Sequence, residues 1–166
     1  MKRTVLALAL LAFGCEDFLG RTPTSTKSPA PTTAKIELSV APDPIPMTVT
    51  CPSPPGDFCA GSIDPTVTIA EKGGLGGHLN FVEIVVRNVT ASKDESRVML
   101  DSSAISRQVG TNRIEALGRV AFRPVVTGYP VPSSGTRPQL SIVLTVQFAD
   151  DKGNVLTETA RVNVVL

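Results

Sequence analysis

The chain has 166 residues, of which 42% are hydrophobic and 4% aromatic, and its formal net charge is +1. This length suffices for one domain with an aliphatic core. The near-neutral charge gives no support for nucleic-acid binding or for general electrostatic attraction to a membrane.

The first 14 residues have the pattern of a secretory signal peptide. Lys2 and Arg3 precede an apolar run from Val5 to Phe13, and a small residue, Gly14, follows it. The run is shorter than the roughly 20 residues that cross a bilayer. We therefore predict that residues 1–14 are removed after export. That removal takes two of the 16 basic residues and none of the 15 acidic ones, leaving a net charge of −1.

Leu11-Ala-Phe-Gly-Cys15 resembles the lipobox of bacterial lipoproteins. The resemblance implies that Cys15 is diacylated on sulfur and becomes the first residue of the mature protein. It also implies a lipid anchor in the bacterial cell envelope, in the outer membrane if the cell is Gram-negative, with the domain on the periplasmic or extracellular side. A plain signal peptide cleaved nearby is the alternative.

Residues 15–34 are predicted to form the lipidated N-terminus and a linker. The stretch is rich in Pro, Thr and Ser and has no apolar period, so it cannot bury a core-forming face. As a flexible coil it would span about 25 Å. A single β-sandwich domain is predicted over 35–166.

Cys51 and Cys59 remain as an even pair once Cys15 is lipidated. In an oxidising compartment the two are expected to form a disulfide, which stabilises the fold by about 2–3 kcal/mol because the closed loop is short. The alternative is a zinc site that adds His78, the single histidine of the chain, as a third ligand.

Alternation of apolar and polar residues dominates the remaining chain, which is typical of strands with one buried face. Asp101 and Ser102 are placed to cap one helical turn through Ser106, and Thr127–Pro138 reads as a long loop rich in Gly, Pro and Ser. The turn Asp150–Gly153 connects two long strands as a hairpin. The predicted strands lie at 35–40, 47–51, 66–70, 79–89, 97–100, within 114–126, at 140–148 and at 156–166.

The predicted fold class is all-β, a two-sheet antiparallel sandwich of about seven to nine strands, since no segment sustains a period of 3.6 residues. The final hairpin, with Phe148–Asn154 at its tip and Ala160–Val165 after it, resembles the last two strands of bacterial immunoglobulin-like and fibronectin-type-III-like modules. A lipocalin-like barrel is the alternative, which proline-broken early strands fit poorly.

Motifs for catalysis or cofactor binding were not found in the sequence, so no catalytic residue, metal ligand or cofactor is predicted and the chain is expected not to be an enzyme. The glycines of Gly73–Gly77 lack the spacing of a phosphate-binding loop, and a GxSxG motif does not occur. His78 is expected at the edge of a loop. Asp150, Asp151 and Asn154 lack the spacing of an EF-hand.

Basic residues are concentrated between Arg87 and Arg137, where eight basic residues face four acidic ones in the sequence. Arg119 and Arg123 fall on one face of a predicted strand, and neighbouring strands are expected to add Arg87 and Arg97. Arginine suits the recognition of carboxylates and phosphates. We therefore predict a face for an anionic ligand, with an ordinary solvated surface as the alternative.

These features together predict a membrane-anchored lipoprotein of the cell envelope whose β-sandwich is a non-catalytic binding or structural module. Its expected partners are the membrane, through the anchor, and an envelope protein or an anionic glycan. The alternatives are an adhesive or carbohydrate-binding module, which the scarcity of aromatic residues disfavours, and an accessory subunit of an envelope complex that is recognised through strand edges.

Overall fold

The structure, a computed structural model, describes residues 30–54 and 56–166. The predicted signal peptide, Cys15 and most of the linker lie outside the described residues. Residues 31–166 form one unit. Its elements are β1 (Ile36–Ala41), β2 (Ile45–Pro46), β3 (Thr48–Thr50), β4 (Phe58–Ile63), β5 (Thr66–Glu71), β6 (Gly77–Asn88), β7 (Lys93–Asp101), α1 (Ser102–Val109), β8 (Arg113–Ile114), β9 (Arg119–Phe122), β10 (Val126–Pro132), β11 (Leu140–Asp150) and β12 (Val155–Val165).

The larger sheet has the strand order β2-β12-β11-β6-β7, with β8 paired to β6. At its centre is the predicted hairpin of β11 and β12, whose antiparallel register runs from Leu140 opposite Val164 to Ala149 opposite Val155. Gly153 in the connecting turn has φ 84°, a conformation that favours glycine. The hairpin prediction is thus confirmed.

The opposing layer consists of two three-stranded sheets, β1-β5-β9 and β10-β4-β3. Ile63 of β4 pairs with Val126 of β10, and Val67 of β5 pairs with Phe122 of β9. The two pairs have the same register, so β4 with β5 forms one long interrupted strand that pairs with a second one, β9 with β10. Prolines interrupt both strands at Pro65 and Pro124, where they remove donors from the ladder. With these breaks, the described residues form twelve strands, against the predicted seven to nine.

Aliphatic side chains from both layers form one buried cluster, which confirms the all-β prediction. Ile142, Leu144 and Phe148 of β11 are fully buried, as are Val67 and Ile69 of β5 in the opposing layer. The immunoglobulin-like type of the sandwich stays a prediction. Among the described residues, no helix has the length and apolar character that a membrane span requires.

Two local predictions are revised by the structure. The segment Thr127–Pro138 was expected to be a loop, but its first half belongs to β10, an edge strand that tolerates Pro130 and Pro132. The predicted helical turn is a helix of eight residues. Asp101 caps it by accepting a hydrogen bond from the backbone N–H of Ala104 at 2.7 Å.

The two ends of the sandwich carry different features, and we name them by their residues. The proximal end is where Pro31–Ala34 joins the domain, next to the β11–β12 turn. The distal end contains the β6–β7 turn, the loop 133–139 and the start of β4. Since β11 has 11 residues, the two ends lie about 35 Å apart.

Candidate functional site

The four arginines of the predicted anionic-ligand face do not lie on one sheet. Arg87 on β6 and Arg97 on β7 belong to the larger sheet. Each has a carboxylate partner, Asp94 at 3.0 Å from Arg87 and Glu83 at 3.1 Å from Arg97. Pairing with these carboxylates leaves both guanidinium groups less suited to an external anion.

The other two predicted arginines lie in the opposing layer. Arg119 is exposed on β9, and no described residue forms an ion pair with it. Arg123 lies just after β9, where its guanidinium donates to Asp64 at 2.6 Å. Asp64 and Arg123 directly precede Pro65 and Pro124, the prolines that interrupt the two long strands. The bond therefore links the two interruptions, which gives Arg123 a structural role.

The predicted disulfide between Cys51 and Cys59 is present. Cys59 is buried on β4 opposite Val131 of β10, at the distal end. The bond therefore ties the loop 51–58 to a core strand and fixes the point where β4 begins.

Glu71 at the proximal end is fully buried, and four backbone N–H groups surround its carboxylate. Oε1 accepts from Lys35 and Gly73, and Oε2 accepts from Gly74 and Leu117, at 2.6–3.1 Å. Burial by itself would raise the pKa of Glu71, but the four donors outweigh it and lower the pKa. The glycine-rich segment thus binds a carboxylate of its own chain.

Asp150 holds the segment Pro31–Ala34, which we call the docked segment. Its carboxylate accepts from the backbone N–H of Ala34 at 3.2 Å and from the side chain of Asn154 at 2.8 Å. Desolvation opposes ionisation, yet these bonds, together with backbone N–H groups of the turn, lower the pKa of Asp150. The proximal end is therefore a fixed attachment point for the preceding chain.

His78 is on β6 at the proximal end. It lies beside an ion-pair cluster that Arg113 of β8 forms. Arg113 donates to both carboxylate oxygens of Asp151 at 2.8 Å and to Glu115 at 2.8 Å, and its Nη1 lies 3.3 Å from Nε2 of His78. The hydrogen bonds from Arg113 lower the pKa of Asp151. Among the described residues, no group of three His, Cys, Asp or Glu side chains is placed to hold a metal ion.

The distal end carries a groove of about 440 Å³, within the size range of small-ligand sites. Three segments build it: the start of β4, the end of β10 with the loop 133–139, and the β6–β7 turn. Backbone hydrogen bonds join them, from Ser133 N–H to the carbonyl of Asp57 at 3.0 Å and from Val89 N–H to that of Gln139 at 2.8 Å. The lining residues are Phe58, Asn88, Thr90, Ala91, Glu95, Tyr129, Pro130, Pro132, Thr136, Arg137 and Pro138.

Arg137 and Pro138 also line a second cavity of about 520 Å³ beside the last residues of the chain. Arg137 therefore lies where the two cavities meet. No described residue forms an ion pair with its guanidinium. Val89 and Val165, which are both exposed, give the second cavity apolar walls.

The lining of the groove contains both apolar and polar side chains. Phe58 is 60% exposed, Tyr129 is buried, and Pro130 is exposed. Burial raises the pKa of Tyr129, and the nearby carboxylate of Glu95 adds to the shift. The lining also contains amide, hydroxyl, carboxylate and guanidinium groups, from Asn88, Thr90, Glu95, Thr136 and Arg137.

Sequence reasoning did not predict this groove. Arg137 was counted among the basic residues, but its segment was read only as a loop. Phe58 lies in the short loop between Cys51 and Cys59, where no strand was predicted. The groove forms from three segments that are distant in sequence, so no local pattern marks the groove as a whole. One of its residues had a local signal: Phe58 directly precedes Cys59, and a disulfide at the start of a strand holds the neighbouring residue in place.

Sequence comparisons match the chain to no protein-family profile and to no curated protein. Solved structures do resemble it. A structural-genomics target designated SoR45 matches with a TM-score of 0.52 and 12% identity, over 80% of this chain and 87% of that one. A structure described as ApaA from Bordetella pertussis matches with the same score and identity, over 80% of this chain and 94% of that one. At such low identity the likeness shows a shared fold alone.

One further comparison corrects the expectation that the chain is not an enzyme. The alkylpurine DNA glycosylase AlkC from Pseudomonas fluorescens matches over 82% of this chain and 32% of that one, with 13% identity. An enzyme is thus among the structural neighbours, and the exclusion of enzymes is withdrawn. With a TM-score of 0.38, the likeness carries no argument that this chain is a glycosylase.

Proposed function

We propose that this protein is a lipid-anchored component of the bacterial cell envelope that binds another envelope component in its distal groove. One observation supports the proposal above the others. The chain joins the sandwich at the proximal end, and the groove lies at the distal end, about 35 Å away. The groove therefore lies at the end of the sandwich opposite to the point where the chain before Pro31 joins it.

One further observation supports an exported protein. The disulfide between Cys51 and Cys59 favours an oxidising compartment, although weakly by itself. It agrees with a signal peptide over 1–14 and a lipidated Cys15.

The anchor is tested by detergent-phase partition of the full chain produced in a bacterium that makes lipoproteins. Wild type is expected in the detergent phase and Cys15→Ser in the aqueous phase, because two acyl chains hold a protein at a membrane and their loss releases it. The matched control, with Cys51→Ala and Cys59→Ala, keeps Cys15 and should remain in the detergent phase. Equal partition of Cys15→Ser and wild type would contradict the anchor.

The groove is tested by retention of the full chain on isolated envelope material. Phe58→Ala and Arg137→Gln should each reduce retention, since both residues line the groove. Met99→Ala is the control, because Met99 is 58% exposed on β7, away from the groove. Unchanged retention of both groove variants would show that binding occurs elsewhere.

A further inference from the structure

We infer that the ligand of the distal groove is an acidic saccharide, with the apolar face of a sugar ring against Phe58 and its carboxylate at Arg137. The inference rests on the proposed function, because it names the ligand class of the same groove. Three observations carry it: an arginine with no described ion-pair partner, a lining that combines an exposed aromatic ring with hydroxyl and amide groups, and two prolines in the adjoining edge strand.

The lining carries one negative and one positive side chain, Glu95 and Arg137. Glu95, the acidic residue of the lining, has Lys93 as an ion-pair partner at 3.6 Å, whereas no described carboxylate balances Arg137. A guanidinium group binds a carboxylate through two parallel hydrogen bonds. The complementary ligand therefore carries a carboxylate that reaches the point where the two cavities meet.

The mixed lining suits the two kinds of surface on a sugar ring. A pyranose presents C–H groups on its faces and hydroxyl groups around its edge. Phe58 offers an exposed aromatic ring, and the disulfide at Cys59 holds the backbone that presents it. The lining also includes the amide of Asn88 and the hydroxyl groups of Thr90 and Thr136, which suit the ring hydroxyls.

The strand edge beside the groove disfavours an extended peptide as the ligand. β10 is an edge strand, and Pro130 and Pro132 pair with Ala60 and Phe58 of β4. Proline has no backbone N–H, so two of the seven residues of β10 cannot donate to an added strand. An added peptide strand needs both donors and acceptors there, whereas sugar hydroxyls can donate to carbonyl groups without requiring donors in return.

The test is a saccharide array probed with the full chain. The array carries neutral oligosaccharides, uronate-containing oligosaccharides, the methyl esters of those uronates, and sulfated oligosaccharides; an array of extended peptides runs in parallel. Retention of uronate-containing members over their methyl esters and neutral counterparts is the expected result. Arg137→Gln should lower the affinity about 10-fold or more, the usual effect of losing a charge-assisted hydrogen bond. Phe58→Ala should lower it several-fold.

Matched controls separate the groove from the rest of the surface. Arg119→Gln removes an exposed arginine of β9, and Met99→Ala removes an exposed apolar side chain of β7. Both should bind within about twofold of wild type, since they lie outside the groove. Equal urea-unfolding midpoints for all four variants establish that folding is intact.

The inference is overturned if no uronate is retained, if methyl esters or neutral saccharides bind equally well, if only sulfated members bind, or if peptides bind instead. Unchanged affinity of Arg137→Gln also overturns it. These results differ from those that would contradict the proposed function. The anchor fails if the Cys15→Ser variant stays in the detergent phase. The groove fails as the binding site if its variants are retained on envelope material as strongly as wild type.

Discussion

Replacement of Glu71 by Gln tests how the proximal end is held together. The two carboxylate oxygens of Glu71 each accept two backbone N–H groups. A glutamine side chain keeps one oxygen, which satisfies two of the four. Its amide NH₂ group then faces the other two donors, so those two N–H groups lose their acceptor.

The expected destabilisation follows from those two donors. A buried donor without an acceptor costs about 1–3 kcal/mol, so Glu71→Gln should lower the free energy of unfolding by about 2–6 kcal/mol. That is a large part of the roughly 5–15 kcal/mol that stabilises a typical domain. Leu117, a donor to Glu71, has φ 59°, a strained conformation for leucine that the bond helps to hold.

Urea unfolding of the full chain at pH 7 measures the effect, with Glu37→Gln as the control because Glu37 is an exposed glutamate on the adjacent β1. Since the folded protein lowers the pKa of Glu71, its contribution is complete above the unfolded value and is lost as pH falls through the folded value. The difference between wild type and Glu71→Gln should therefore shrink below about pH 4. A change below about 0.5 kcal/mol at pH 7, within the range of surface substitutions, would refute the reasoning.

Three other perturbations give separate predictions. Cys51→Ala with Cys59→Ala should lower the free energy of unfolding by about 2–3 kcal/mol, measured by urea unfolding, because the lost crosslink closes a short loop; an unchanged value would refute this. Gly77→Ala should lower the free energy of unfolding by about 1–3 kcal/mol, since a Cβ at this position would lie 2.6 Å from the Phe148 ring. Gly56→Ala is the control and should not destabilise the fold, because the nearest atom to its Cβ, on Pro52, is 3.9 Å away. As pH falls through the lowered pKa of Asp150, protonation of its carboxylate should reduce the protection of the Ala34 amide against hydrogen exchange, because that amide donates to the ionised carboxylate; protection that does not change with pH would contradict this.

Much of the fold is predictable from local patterns. The alternation in Leu140–Phe148 and the turn glycine Gly153 predict the hairpin, because strand faces and turn conformations are set by residues close in sequence. Asp101 predicts the helix start for the same reason, and the structure places it as the N-cap. β10 was missed because its prolines are typical of loops, and only its place at a sheet edge makes them tolerable.

The candidate site was less predictable, since its parts meet only in the folded chain. The donors to Glu71 include Lys35 and Leu117, which lie 36 and 46 residues away in sequence. The distal groove likewise joins Phe58, Glu95 and Arg137 from separate segments. Charge counting predicted arginines as binding residues, but ion pairing, which decides which guanidinium is available, depends on tertiary contacts.

The central claim is that ligand binds at the distal end, opposite the attachment of the linker. The most direct measurement is an amide chemical-shift titration of the unlipidated full chain, Cys15→Ala, with a uronate tetrasaccharide. We expect shifts confined to Phe58 and to the segments 88–95 and 129–138, which contain the other residues that line the groove. Shifts centred on Glu71 and His78 at the proximal end, or on the outer face of the larger sheet, would contradict it.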